Sequence, residues 1–192
     1  GTNKLQGQLD VERVIPEIQA LLRLGVKYGF TSLTASVEAI LAQHAIGTPL
    51  ALSCILKKMK GFNGFGDDWR FHFKELLDLA NAHKIYSMLP GIYCLFLALD
   101  GPAGLSKNRQ LSMSDRLRCS TGFYPLHRDI CRLGAGRVRQ QSANWLDHHA
   151  LRDFSCLTGD EQENVWESLP EMFQLPRWEE LWKSPNLNIT IT

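Results

Sequence analysis

Apolar residues recur three and four positions apart along most of the chain, the spacing of amphipathic helices. Val14, Ile18, Leu21, Leu22 and Val26 form one such stripe. Proline is tolerated in a first helical turn, so this helix is expected to settle at Pro16, and Gly29 supplies a left-handed stop. Thr31 is placed to cap a second helix carrying Leu33, Val37, Ile40 and Leu41. Thr48-Pro49 is a cap followed by proline at the first helical position, opening a third helix through about Met59. Residues 60–70 read as a loop with three glycines and two adjacent aspartates, yet they hold Phe62, Phe65 and Trp69. Aromatics in such a loop usually tuck into their own core; the alternative is a protruding contact surface.

The same patterning continues toward the C-terminus. A fourth helix is expected over 71–83, with Phe73, Leu76, Leu77 and Ala80 on one face. Pro90 opens an apolar fifth helix ending before Asp100-Gly101-Pro102, and residues 103–110 read as a loop. Ser112 and Asp115 begin a sixth, which Pro125 kinks or restarts and which ends at Gly134 and Gly136. Residues 137–157 are ambiguous, with a helix expected around 143–154. Thr158 and Glu161 make a full capping box for a helix over 159–169, and Pro176 opens a last short helix with Trp178, Leu181 and Trp182. Helical spacing assigns Trp166, Trp178 and Trp182 to the core rather than to a partner. The predicted fold class is all-α: an irregular bundle of about seven to nine helices without a substantial sheet.

Composition changes this picture little, but charge placement does. The chain has 192 residues, 44% of them apolar, and a formal charge of +1, so nothing global draws it to nucleic acid or an anionic membrane. Residues 101–150 carry eight Lys/Arg against three Asp/Glu, whereas residues 151–192 carry three against eight. The simpler reading is that these blocks face each other within the fold; the alternative is that the basic block meets an acidic partner. The uncharged run over 85–99 is broken by Pro90-Gly91 and falls short of the ~20 residues that a spanning helix needs, so it reads as a buried helix. Five widely spaced cysteines without a Cys-x-x-Cys point to a reducing compartment, cytoplasmic or nuclear.

Reactive constellations are sparse. Cys131, His148, His149 and Cys156 are the one grouping of Cys and His close in sequence, but their spacing fits no zinc signature, so no metal and no cofactor is expected. Nucleophile-elbow, metalloprotease and dinucleotide-binding motifs are missing from the sequence, so no enzyme is expected. Two binding alternatives stay open. Arg116, Arg118, Arg128, Arg132, Arg137 and Arg139 could make the basic segment 109–139 a nucleic-acid surface, with Arg128 and Arg132 on one helical face. Too few aromatics accompany them for a stacking platform, which makes nucleic acid the weaker expectation. A helical pocket near Tyr86, Tyr93 and Trp145 could hold a small ligand.

Three stretches carry a resemblance. Leu21-Leu22-Arg23-Leu24-Gly25-Val26-Lys27-Tyr28-Gly29, followed by a helix near Leu33, resembles the last helix pair of a BTB/POZ domain. Leu76-Leu77-Asp78-Leu79-Ala80 with Ile85-Tyr86-Ser87-Met88-Leu89-Pro90 comes next. Then follow Leu111-Ser112-Met113-Ser114-Asp115-Arg116-Leu117 and the ending Trp166-Glu167-Ser168-Leu169-Pro170, Phe173, Leu175-Pro176, Trp178-Glu179-Glu180-Leu181. In that order they are similar to the C-terminal helical region of fungal BTB-domain proteins, especially those of mushroom-forming fungi. The resemblance implies residues 1–47 as the last helices of a BTB-like domain, 48–183 as a following helical domain, and 184–192 as a tail. The strand-bearing front of a BTB domain has no counterpart here, so the chain is expected to begin inside that fold. It further implies a protein–protein interaction module. Such a module would act as an adaptor or scaffold, in ubiquitin-ligase or transcription complexes. It would have protein partners, a homodimer among the expected assemblies, no membrane contact and no catalytic residue. Phe62, Phe65, Trp69, Arg128 and Arg132 are the candidate contact residues.

Overall fold

A computed structural model describes residues 11–40, 46–61, 67–109, 111–135 and 148–183. The fold is all-α, and no strand occurs among the described residues. Helices α1 (Val11–Tyr28) and α2 (Thr31–Ile40) form a hairpin. Its turn is set by Gly29, whose φ of 68° lets Phe30 N–H donate to the Gly25 carbonyl at 2.8 Å while Gly29 N–H reaches Val26. This is the expected left-handed stop. α1 begins at Val11, so Pro16 lies in its second turn rather than its first. Thr31 is the first helical residue rather than the cap; the Phe30 carbonyl accepts the first bond, from Thr34 N–H.

α3 (Pro49–Gly61) starts as expected, with Thr48 Oγ1 accepting from Ala51 N–H at 3.2 Å. α4 (Asp67–Ala82) begins earlier than the sequence predicts, so Trp69 sits in a helical first turn and not in a loop. Phe62 and Phe65 lie outside the described residues, as does the side chain of Trp69. A 3-10 turn at Tyr86–Met88 leads into α5 (Leu89–Lys107), with Pro90 in the first turn. The chain breaks at Gly101, φ 64° and ψ 176°, and Pro102 restarts it, so most of the expected loop over 103–110 is helical.

α5 is the central element. Leu89 to Leu99 are buried on every side, as befits a segment that is apolar all round. Against it pack α3, α4, α6 (Met113–Leu133), α7 (Gly159–Met172) and a nine-residue 3-10 helix, His148–Cys156. That last segment replaces the α-helix expected around 143–154; residues 136–147 lie outside the description. α6 runs through Pro125 as one helix. The capping box of α7 is present in both directions: Glu161 N–H donates to Thr158 Oγ1 and Thr158 N–H to Glu161 Oε2. α8 (Trp178–Lys183) folds back onto the Tyr86–Met88 turn. The tail over 184–192 is outside the described residues.

Among the described residues one helix region, Tyr86–Lys107, is by length and composition apolar enough to cross a membrane, and 78% of its most apolar window is buried inside the fold. That burial is what the central position of α5 requires.

Candidate functional site

Several polar side chains that the sequence singles out, Tyr93, Arg116 and Arg118 among them, are bonded to other parts of the bundle. Tyr93 is 1% exposed and packs edge-to-face on Phe173, ring centroids 5.3 Å apart. Its hydroxyl donates to Asp115 Oδ1 at 2.6 Å, and Ser112 donates to the other oxygen of the same carboxylate. Burial first, and then the Asp115 carboxylate, push the Tyr93 phenol far above its ordinary value. Tyr93 therefore lines no open cleft, which removes it from the expected ligand pocket; Trp145 lies outside the described residues.

The basic segment is likewise turned inward in part. Arg118 is buried, and its guanidinium donates to the carbonyls of Phe173 and Gln174 at the end of α7. Arg116 donates to the Ser106 carbonyl at 3.1 Å. Arg128 and Arg132 are exposed on one face of α6, with Asp129 between them at 3.2 and 4.0 Å. Arg137 and Arg139 lie outside the description. Elements of the basic and acidic blocks pack together, as the simpler reading expects: α6 lies against α7 and against the His148–Cys156 segment, and Arg118 is held by the carbonyls that follow α7.

Of the Cys/His grouping, Cys131 is half-buried, with its sulfur 3.9 Å from Nδ1 of His127 one helical turn back. His149 is exposed and Cys156 half-buried; the side chain of His148 is outside the description. Among the described residues, no three His, Cys, Asp or Glu side chains gather as a metal site. Burial, and secondarily Asp153, raise the Cys131 thiol, the opposite of what an activated nucleophile needs. His127 and Asp153 were not legible as its neighbours, although the His127–Cys131 spacing of four is a helical contact.

Two of the three tryptophans seal the core as expected. Trp166 and Trp178 stack with centroids 4.8 Å apart, and Trp178 Nε1 donates to the Trp166 carbonyl. Trp182 departs from the expectation: it is 51% exposed.

The least expected feature is on the α1–α2 hairpin. The sequence stripe splits in two. Ile18 and Leu22 are buried, but Leu21 and Val26 are exposed. Leu21, Leu24 and Tyr28, spaced three and four apart, form a second apolar series on α1, and Phe30 continues it across the turn. These four are between 42% and 58% exposed. The rings of Tyr28 and Phe30 lie 6.0 Å apart, and the Lys27 ammonium sits 5.3 Å from the Tyr28 ring centre. The ten-residue α2 covers one side of the eighteen-residue α1, so a second apolar face is left to solvent. Scattered exposed leucines are ordinary; here they form a series at helical spacing that includes two aromatics.

Comparison of the chain with family models, with curated proteins and with solved structures gives no match.

Proposed function

We propose that the chain is a helical protein-interaction module, an adaptor or scaffold whose contact surface is the exposed apolar face of the α1–α2 hairpin. The observation that carries this is the Leu21–Leu24–Tyr28–Phe30 series, which is ordered, partly aromatic and left uncovered by the hairpin partner. The resemblance of residues 21–29 and of the C-terminal helices to the helical region of BTB/POZ proteins supports the same reading. It makes a cullin-type ligase subunit or a second copy of the chain the first partners to try, in a cytoplasmic or nuclear setting.

The test is a Leu24→Glu/Tyr28→Glu variant. Both side chains are about half exposed, so the melting temperature is expected to stay close to that of the parent. Sedimentation velocity and biolayer interferometry with purified cullin then read the interaction. Association of the parent chain with itself or with cullin, lost in the variant, supports the proposal. A parent that is monomeric and inert in both measurements, or a variant that associates unchanged, overturns it.

A further inference from the structure

A second surface lies on α6 and does not depend on the α1–α2 reading. The inward side of this helix, Arg118, Cys119, Gly122, Phe123, Leu126 and Ile130, is buried against the bundle. Its outward side carries Met113, Leu117 and Tyr124 at spacings of four and seven, the kind of ridge that one helix offers to the groove of another. These three are between 49% and 75% exposed. Ser114, Ser120 and Thr121 border them, so the apolar ridge is one side chain wide. That width suits a single facing helix, whereas insertion into a membrane surface takes a broad apolar face. Arg128 and Arg132, also exposed, continue the ridge at steps of four. Methionine, tyrosine and arginine are enriched at protein interfaces, where lysine, glutamate and aspartate are depleted. Tyr124 is held in place as well: its ring stands edge-on to the buried ring of Phe123, centroids 5.3 Å apart, so a partner that covers it has less side-chain freedom to remove.

Charge sets the chemistry and the direction of the occupant. The two guanidiniums stand at the C-terminal end of the ridge and share one carboxylate, Asp129, which leaves positive charge over. A helix lying antiparallel to α6 brings its own N-terminal turn to these arginines, and the helix dipole favours acidic residues in that turn. We propose that the outward face of α6 binds an amphipathic helix of a partner protein, antiparallel to α6, with its apolar row on Met113, Leu117 and Tyr124 and the acidic residues of its first turn on Arg128 and Arg132.

Fluorescence anisotropy tests this with a labelled Ala-based helical peptide of about 20 residues, long enough to span the ridge, carrying Leu at steps of three and four and Glu in its first turn. The parent chain is expected to bind it saturably, and to bind a counterpart with Lys in place of Glu about tenfold or more weakly. Arg128→Glu/Arg132→Glu is expected to invert that order. Leu117→Ser/Tyr124→Ser is expected to weaken binding of the Glu peptide by about tenfold or more while keeping the melting temperature, because both side chains are about half exposed. Leu24→Glu/Tyr28→Glu is expected to bind like the parent, which keeps the fate of this surface separate from that of the hairpin. No saturable binding of the Glu peptide overturns the proposal, as does an order of the two peptides that charge reversal leaves unchanged. Loss of binding in Leu24→Glu/Tyr28→Glu overturns it too, by placing the peptide on the hairpin. Tighter binding to phosphatidylserine vesicles or to a DNA duplex, abolished by Arg128→Glu/Arg132→Glu, would give the ridge to a lipid surface or to nucleic acid instead.

Discussion

Trp178 and Trp182 are four residues apart on one six-residue helix and have opposite fates. Trp178 is stacked on Trp166 and hydrogen-bonded to its carbonyl, so Trp178→Ala removes a large buried ring and leaves a cavity; the expected loss is about 3–5 kcal/mol of unfolding free energy. Trp182→Ala is expected to change stability by no more than ~0.5 kcal/mol. Urea denaturation of the two variants separates these outcomes, and comparable losses would show that α8 is seated differently. Tyr93 makes a different prediction. Tyr93→Phe takes a donor away from the Asp115 carboxylate, a charge-assisted bond whose loss is expected to lower stability by roughly 1.5–3 kcal/mol at neutral pH. In the folded chain burial, followed by Asp115, raises the phenol above its ordinary value of 10.0, and burial does the same to the Cys94 and Cys119 thiols, ordinarily 9.0. Below pH 9 all three are protonated in both states, so their contribution is fully present. Above it only the unfolded chain releases these protons, and stability falls as pH rises. Denaturation midpoints should therefore be level with respect to these groups up to about pH 9 and decline beyond it, less steeply in Tyr93→Phe. A midpoint that holds to pH 11 would contradict the burial of these groups.

At the scale of the element, what could be read from the sequence is what depends on neighbours three or four residues away. Thr48-Pro49, Ser112 with Asp115, and Thr158 with Glu161 open α3, α6 and α7 as their side chains predict, because a cap is a bond within one turn. Thr158→Ala should accordingly cost about 1 kcal/mol by urea denaturation although Thr158 is exposed. The left-handed turn that closes a helix was legible only where glycine marked it. α4 and α7 close with the same two bonds as α1, but their left-handed residues are Lys84 at φ 57° and Gln174 at φ 53°. Nothing in either side chain announces that conformation. Gln174→Gly removes the Cβ strain while keeping the carbonyl that Arg118 holds, and it is expected to raise stability by about 0.5–1 kcal/mol. An unchanged or lower midpoint would mean the turn is not strained. Tertiary decisions were not legible at all. Arg118 reads as part of a basic surface until carbonyls 55 and 56 residues away take it into the core. The pairing of Arg70 with Asp100 at 2.7 Å spans thirty residues, and the stacking of Trp178 on Trp166 needs α8 folded back beside α7.

Across the whole molecule the α5-centred body and the α1–α2 hairpin are built on different amounts of core. Leu89 to Leu99 are enclosed by helices on every side, and Gly122 admits α6 against the end of α7 so closely that an added Cβ would lie 2.3 Å from Phe173. Among the described side chains the hairpin contributes Ile18, Leu22 and Val37 to the buried set, and α1 packs on α4. Segments with little buried apolar area open at a fraction of the global free energy, and binding surfaces are drawn from that end of the range. Native-state hydrogen exchange is expected to resolve two tiers. Amides over Ile92–Leu99 should exchange only through global unfolding, with free energies that track the denaturation value and drop in step in Trp178→Ala. Amides over Ile18–Tyr28 should exchange through a smaller opening that Trp178→Ala leaves unchanged. A partner that covers Leu24 and Tyr28 must then raise protection in the hairpin and leave α5 where it was, because a ligand stabilises only the equilibrium in which its site is lost. Uniform protection across both regions would make the hairpin part of one cooperative unit, with no looser segment for a partner to secure.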